Sequence, residues 1–335
     1  MKEKEIYKIF KPQLSPKKML ELGVFGGSYF VDGSIREFPQ EWFKKAKTSK
    51  KFDVNLNCFK IESGLTRKEW IDKGKVGKVH TIYAWTNRPV WPQGIDHPAA
   101  NKSEKPNTLN WDLWLGTAKS KPYSPGLHPF DWRGFWEYGT GALGDIGCHI
   151  LDAPYKALQL GYPSSVECSA TNVFKKMCIP DYTTEVCPIS SIFTLDYKNS
   201  PHNKDGIKLI WMDGGLTPTI PEQVKEEFIM NFDAGNSSGI MMIGNKGVIT
   251  SEIYANNPTL YVKGEDPVVF STRNQPNVNN VHASTWTEAC KAGFDSRQHK
   301  ELTSSFDYSG PFTETVIMGN LALRSRDLRN IVSTN

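Results

Sequence analysis

Asp145, His149 and Asp152 follow a glycine-rich turn at i, i+4 and i+7 in the stretch WRGFWEYGTGALGDIGCHILD, Trp132 to Asp152. On a helix, these spacings put all three side chains on one face. A carboxylate one turn before a histidine holds one imidazole tautomer and stabilises the protonated ring, which is what a proton-transfer histidine requires. The same residues also fit a purely architectural role, with Asp145 capping free backbone N–H groups and His149 satisfied in a core. Spacing alone leaves both readings open.

The surrounding sequence narrows the choice. Gly141, Leu143, Asp145, Gly147, His149 and Asp152 form a G-x-L-x-D-x-G-x-H-x-x-D pattern. Around it lie HTIYAWTNRPVWPQG at 80 to 94, LNWDLWLG at 109 to 116, HPFDWRGFWEYGTGALGD at 128 to 145 and SFDYSGPFTETVIMGNLALR at 305 to 324. In this order, from Lys75 to about Asn330, the chain resembles the Gfo/Idh/MocA family of NAD(P)-dependent oxidoreductases, in a bacterial subgroup. The resemblance implies oxidation of a sugar or polyol, with hydride passing to NAD or NADP and His149, oriented by Asp145, taking the hydroxyl proton. It also implies substrate contacts from Asn87, Arg88, Trp91, Asp152 and Tyr308.

Members of that family open on a dinucleotide-binding domain, in which a strand, a G-x-G-x-x-G turn and a helix N-terminus receive the pyrophosphate. The glycine-rich candidate here, LGVFGGSYF at 22 to 30, places Gly23, Gly26 and Gly27 in a different spacing. It is preceded by SPKKMLEL, which reads as a capped amphipathic helix rather than a buried strand. The family's catalytic lysine lies in a Glu-Lys-Pro tripeptide. Glu104-Lys105-Pro106 has those letters but sits in the polar loop NKSEKPNTLN, so the role is not carried onto Lys105. Residues 1–74 are therefore expected to be a non-Rossmann segment joined by fusion or deletion, residues 75–335 a substrate and oligomerisation domain, and the isolated chain to bind no nicotinamide cofactor tightly. With no nucleotide domain packed on it, apolar surface around Trp85, Trp91 and Trp136 is expected to be exposed.

Composition sets the outer bounds. The chain has 335 residues, 39% of them hydrophobic, and 40 basic against 36 acidic residues, a formal net charge of +4. Its lysines are interspersed with acids, which gives no support to nucleic-acid binding. No apolar run approaches the roughly 18 residues of a membrane span, and MKEKEIYKIFKPQ lacks a signal-peptide core. The six cysteines show no C-x-x-C or paired Cys/His spacing, so no structural zinc or disulfide scaffold is expected, and a cytoplasmic location is the default.

Periodicity completes the expectation. Residues 15–22, 39–47 and 66–76 read as short helices and 51–61 as a strand-like run. VHTIYAWTNRPV alternates as a strand, followed after the signature helix by β-rich runs at 165–170, 191–197, 207–213, 227–233, 239–243, 247–252 and 259–262, with helices at 282–293 and 313–327. This order predicts an α+β fold: a mostly antiparallel open sheet with helices on one face, behind a small, mainly helical N-terminal segment. Trp91, Trp111, Trp114, Trp132 and Trp136 are either core or flat platforms for sugar C–H faces, with Asn87, Arg88 and Asp112 as polar partners. Homo-oligomerisation through the sheet is expected. Two other functions fit the same residues: a noncatalytic sugar-binding or assembly protein, and a glycosidase using bound NAD.

Overall fold

The computed structural model describes residues 28–31, 34–37, 68–95, 104–181, 185–198, 200–224, 238–270 and 278–332. Two compact units, Met1–Asn55 and Leu56–Asn335, divide the chain. In the first, β1 (Ser28–Val31) and β2 (Ser34–Glu37) pair antiparallel as a hairpin, where the sequence suggested only a turn leading into one extended segment. The helices expected at 15–22 and 39–47 and the strand at 51–61 lie outside the described residues.

The second unit is built on an eight-stranded sheet. Its strands are β3 (Val79–Trp85), β4 (Ser165–Ala170), β7 (Ser191–Tyr197), β8 (Ile207–Met212), β9 (Gly239–Gly244), β10 (Gly247–Glu252), β11 (Thr259–Val262) and β12 (Val268–Val269), in the order β12-β11-β10-β9-β3-β8-β7-β4. All neighbours are antiparallel except β3 and β8, which run parallel from Thr81↔Lys208 to Trp85↔Met212. A separate hairpin, β5 (Val173–Lys176) with β6 (Ile179–Asp181), was not expected from the sequence. The run at 227–233 lies outside the described residues.

Side-chain alternation assigns the two faces of the sheet. Ile82, Ala84, Leu209, Trp211, Ile240, Met242 and Ile249 join one large core with the helices. The helices on that face are α2 (Gly141–Ala157) and α5 (Phe306–Val332). They approach closely because Gly319 leaves room for neighbours: a Cβ there would come within 2.5 Å of Leu143 Cδ2. Ile71 and Val76, which flank the end of a short helix at 68–72, also enter this core. On the opposite face, Trp85, Met241, Val248 and Tyr261 pack with Val224. A third cluster gathers Trp111 and Leu115 of α1 (Trp111–Leu115) with Leu127, Phe135 and Val186. The last helices are α3 (Val278–Ala292) and α4 (Arg297–Lys300). Among the described residues no helix is long and apolar enough to cross a membrane.

Candidate active site

The site is organised along α2. The helix begins at Gly141, whose φ of +64° favours glycine and whose Cβ position would meet Cys187 Cβ and Sγ at 3.0 Å. From there, Asp145, His149, Asp152 and Lys156 recur at 4, 3 and 4 residues, so they form one stripe down the helix, as the first three were expected to do. Each is met by a different part of the chain.

At the top of the stripe, Asp145 Oδ1 accepts a hydrogen bond from Arg133 Nε at 2.9 Å. Arg133 lies in the 3₁₀ turn Asp131–Gly134, and its Nη1 also donates to the Phe130 carbonyl at 2.9 Å. Three rings surround the guanidinium: Phe130 at 4.3 Å, Trp132 at 4.6 Å and Trp91 at 5.8 Å. The sequence reading saw the aromatics but not the cation they enclose. Trp91 is fixed in turn by its Nε1 donating to Gln93 Oε1 and is 5% exposed.

One turn on, the His149 ring stands edge-on to Tyr254, centroids 5.0 Å apart at 71°. Burial holds the imidazole below its usual proton affinity, and the Asp145 charge opposes this only in part. Tyr254 and Ala255 both have φ of +59°, in a turn that follows β10. Such left-handed non-glycine residues are uncommon and persist only where the surroundings impose them. Here Ile253 N donates to Ser238 O at 3.1 Å. Ser238 Oγ donates to Asn87 Oδ1 at 3.3 Å and lies 2.8 Å from the Thr86 hydroxyl. Arg88 Nη1 donates to the same Asn87 Oδ1 at 3.0 Å. Asn87 and Arg88 thus sit at the end of β3, linked through Ser238 to the turn that carries Tyr254. Neither Tyr254 nor Ser238 was singled out in the sequence, although Tyr-Ala-Asn-Asn after a strand is a turn signal.

At the lower end, buried Asp152 accepts from the Tyr308 hydroxyl at 2.5 Å. Burial and the adjacent carboxylate push the Tyr308 phenol well above its ordinary range. Lys156 Nζ lies 5.3 Å from the Tyr308 ring centroid. Burial, and then the Lys156 charge, lower the proton affinity of His282 on α3. Asp152 and Tyr308 were named separately from sequence, and the fold joins them.

Other expectations are corrected. Trp85 and Trp91 are themselves only 2% and 5% exposed, Trp85 within the second sheet face and Trp91 beside Arg133, although Val90 and Phe130 next to Trp91 are exposed. Trp136 is half-buried beneath the Arg324 guanidinium at 5.3 Å. Trp111 and Trp114 stack on each other at 4.6 Å, and Trp111 Nε1 donates to the Lys121 carbonyl, so both serve the third cluster. Asp112 is an exposed first-turn residue of α1. Lys105 donates to the Leu109 carbonyl at 2.8 Å in an exposed loop. Among the described residues no group of three His, Cys, Asp or Glu side chains is placed to hold a metal ion.

Part of the chain matches a family model. Residues 60–174, which contain the whole Asp145–His149–Asp152 stripe, match the Gfo/Idh/MocA model described as oxidoreductase family, C-terminal alpha/beta domain. The match covers about a third of the chain and is to that domain alone. Among solved structures, the chain is similar to an inositol dehydrogenase homolog complexed with NAD+ from Azotobacter vinelandii (13% identity, 62% of this chain and 40% of that one, TM-score 0.34). It is also similar to an oxidoreductase from Sinorhizobium meliloti (13% identity, 87% of this chain and 67% of that one, TM-score 0.42). A third likeness is to a super-repressor mutant of Gal80p from Saccharomyces cerevisiae (16% identity, 86% and 66%, TM-score 0.42). The chain thus spans about two fifths of the length of the inositol dehydrogenase homolog. No curated protein matches the sequence.

The family's nicotinamide cofactor needs open space over a glycine-rich helix start, so that backbone N–H groups reach a pyrophosphate. The start of α2 does not offer it. The Cβ positions of Gly141 and Gly144 are taken by Cys187 and by Thr140 Oγ1 respectively, and Gly144 N donates to the Thr140 carbonyl. These glycines close a packed turn, and the described residues do not fit a dinucleotide there.

Proposed function

We propose that this chain provides the substrate side of a sugar or polyol oxidoreductase, with His149 as the group that takes the proton from the hydroxyl being oxidised. The observation that carries this reading is a half-buried imidazole, its proton affinity lowered by burial, one turn from a carboxylate fixed by Arg133, on a helix within the residues that match the family model. A neutral ring accepts the proton, and Asp145 stabilises the imidazolium that results. Asn87 and Arg88, at the end of β3, supply hydrogen-bonding groups for neighbouring hydroxyls. Trp91 supports Arg133 and through it Asp145, while Asp152 and Tyr308 shape the lower wall. The redox partner, NAD or NADP by family, comes from outside the described residues. Self-association through the sheet belongs to the same reading.

With the cofactor-binding component present, His149→Ala is expected to lower turnover by about 100-fold or more, and Asp145→Asn by somewhat less. Full activity in a folded His149→Ala protein would remove the proposal. A second reading, a noncatalytic sugar-binding protein, uses the same stripe with Asn87 and Arg88 and no hydride transfer. The two separate on one measurement: saturable polyol binding by calorimetry, with no NAD(P)H formed under any cofactor supply, selects the second.

A further inference from the structure

Arg133 touches no reacting atom in the chemistry above, yet the structure invests heavily in it. Its side chain is 23% exposed and that of Asp145 is 28% exposed, so the pair is shielded from much of the solvent that weakens surface ion pairs. The guanidinium is held by geometry as well as charge: Nε on Asp145, Nη1 on the Phe130 carbonyl, and rings of Phe130, Trp132 and Trp91 around it. Arginine suits such a place because its planar group can stack and donate at once, which a lysine cannot reproduce.

We propose that Arg133 is a positioning residue for this active site, one that fixes the Asp145 carboxylate and offsets the field that this carboxylate exerts on His149. The inference rests on the reading of His149 as the proton acceptor. A carboxylate one turn away would by itself favour the charged imidazole, which is the wrong form for accepting a proton. A cation bonded to that carboxylate reduces the effect while leaving the carboxylate in place to stabilise the imidazolium once it forms. The elements packed against α2 carry these ionisable groups: Asp145, Cys148, Asp152, Tyr155 and Lys156 on α2 itself, Asp131 and Arg133 in the 3₁₀ turn, Glu252 and Tyr254 at the turn after β10, and Asp307, Tyr308, Glu314, Arg324 and Arg326 on α5. From β3 and β9 the shared core receives Ile82, Ala84, Ile240 and Met242, none of which titrates.

The test is the titration of the His149 ring by NMR in the full chain, with the signal assigned from a His149→Gln variant. In Arg133→Gln the midpoint is expected to rise by about one pH unit, because the Asp145 charge is no longer offset. Arg133→Lys, which keeps the charge but loses the stacked fork, is expected to fall between the two. Asp145→Asn lowers the midpoint, and added to Arg133→Gln it abolishes the rise. An unchanged midpoint in folded Arg133→Gln, or the same rise with Asp145 removed, overturns the proposal. These outcomes are independent of turnover: a shifted midpoint in a chain that never oxidises a polyol leaves the Arg133 assignment standing and defeats the proposed function instead.

Discussion

Asp145 and Asp152 are the same residue type on the same face of the same helix, two turns apart, and the fold treats them in opposite ways. Asp145 is partly exposed and bonded to a permanent cation. Asp152 is buried and bonded to a neutral phenol. A partly exposed carboxylate bonded to arginine lies open to a neighbouring ring, whereas a buried one bonded to a phenol is walled into the core. In the proposed reading, the difference separates the proton-transfer end of the stripe from its structural end.

The comparison breaks most directly by deleting each acid. Asp152→Ala strands the Tyr308 hydroxyl in a mostly apolar setting and is expected to cost about 2 kcal/mol. Asp145→Ala, whose arginine can still find water, should cost about 1 kcal/mol or less. Urea midpoints of the two variants check the order, and equal losses would mean that the two ends of the stripe are not distinct.

A third acid sharpens the contrast. Asp213, 2% exposed, is met only by neutral donors: Ser191 N and Oγ, and Trp211 Nε1. Burial raises its proton affinity, from a usual 3.8 to about 6, against the pull of those hydrogen bonds. The folded state therefore binds this proton more tightly than the unfolded chain, and its share of stability falls as pH rises from about 4 to 6. Asp213→Asn should remove that decline. His149 has the opposite sign. Its proton affinity is lowered by burial from a usual 6.5, so the unfolded state binds the proton more tightly; stability is retained above that pH and lost as pH falls. His149→Gln should be less sensitive to acid, and urea midpoints across pH 4 to 8 test both signs.

The smallest effect is expected at the exposed foot of the stripe. Lys156→Met should change stability by less than about 0.5 kcal/mol. Yet it removes the charge that disfavours protonation of His282, so the His282 titration midpoint should rise. No change there would mean that the lower end of the stripe does not extend to α3.

Much of this architecture was legible because the core depends on short-range patterns. Alternation located β3, β4 and β7 through β11, and the glycine-bounded D-x-x-x-H-x-x-D run located α2 and its polar face. Pairings between distant residues were not legible. Tyr308 was visible in FDYSGPF, but its bond to Asp152 spans 156 residues and needs α5 to start at Phe306 and continue through Pro311. Arg133 lay in a run read for its tryptophans, because no local rule tells a ring that fills a core from one that encloses a cation. Tyr254 was missed because a left-handed turn on a non-glycine residue reflects tertiary constraint more than local preference.

One parallel pairing has a wider consequence. Since β3 and β8 run side by side in the same direction, the chain leaves both central strands at the same end of the sheet, and Gly214 N donates to the Arg88 carbonyl where the two exits meet. Lengthening or shortening either exit would change what lies beside Asn87 and Arg88 while the eight-stranded framework stayed intact. If those two residues contact substrate as proposed, loop length alone could alter which substrate fits, without any change in the buried residues that keep the sheet folded.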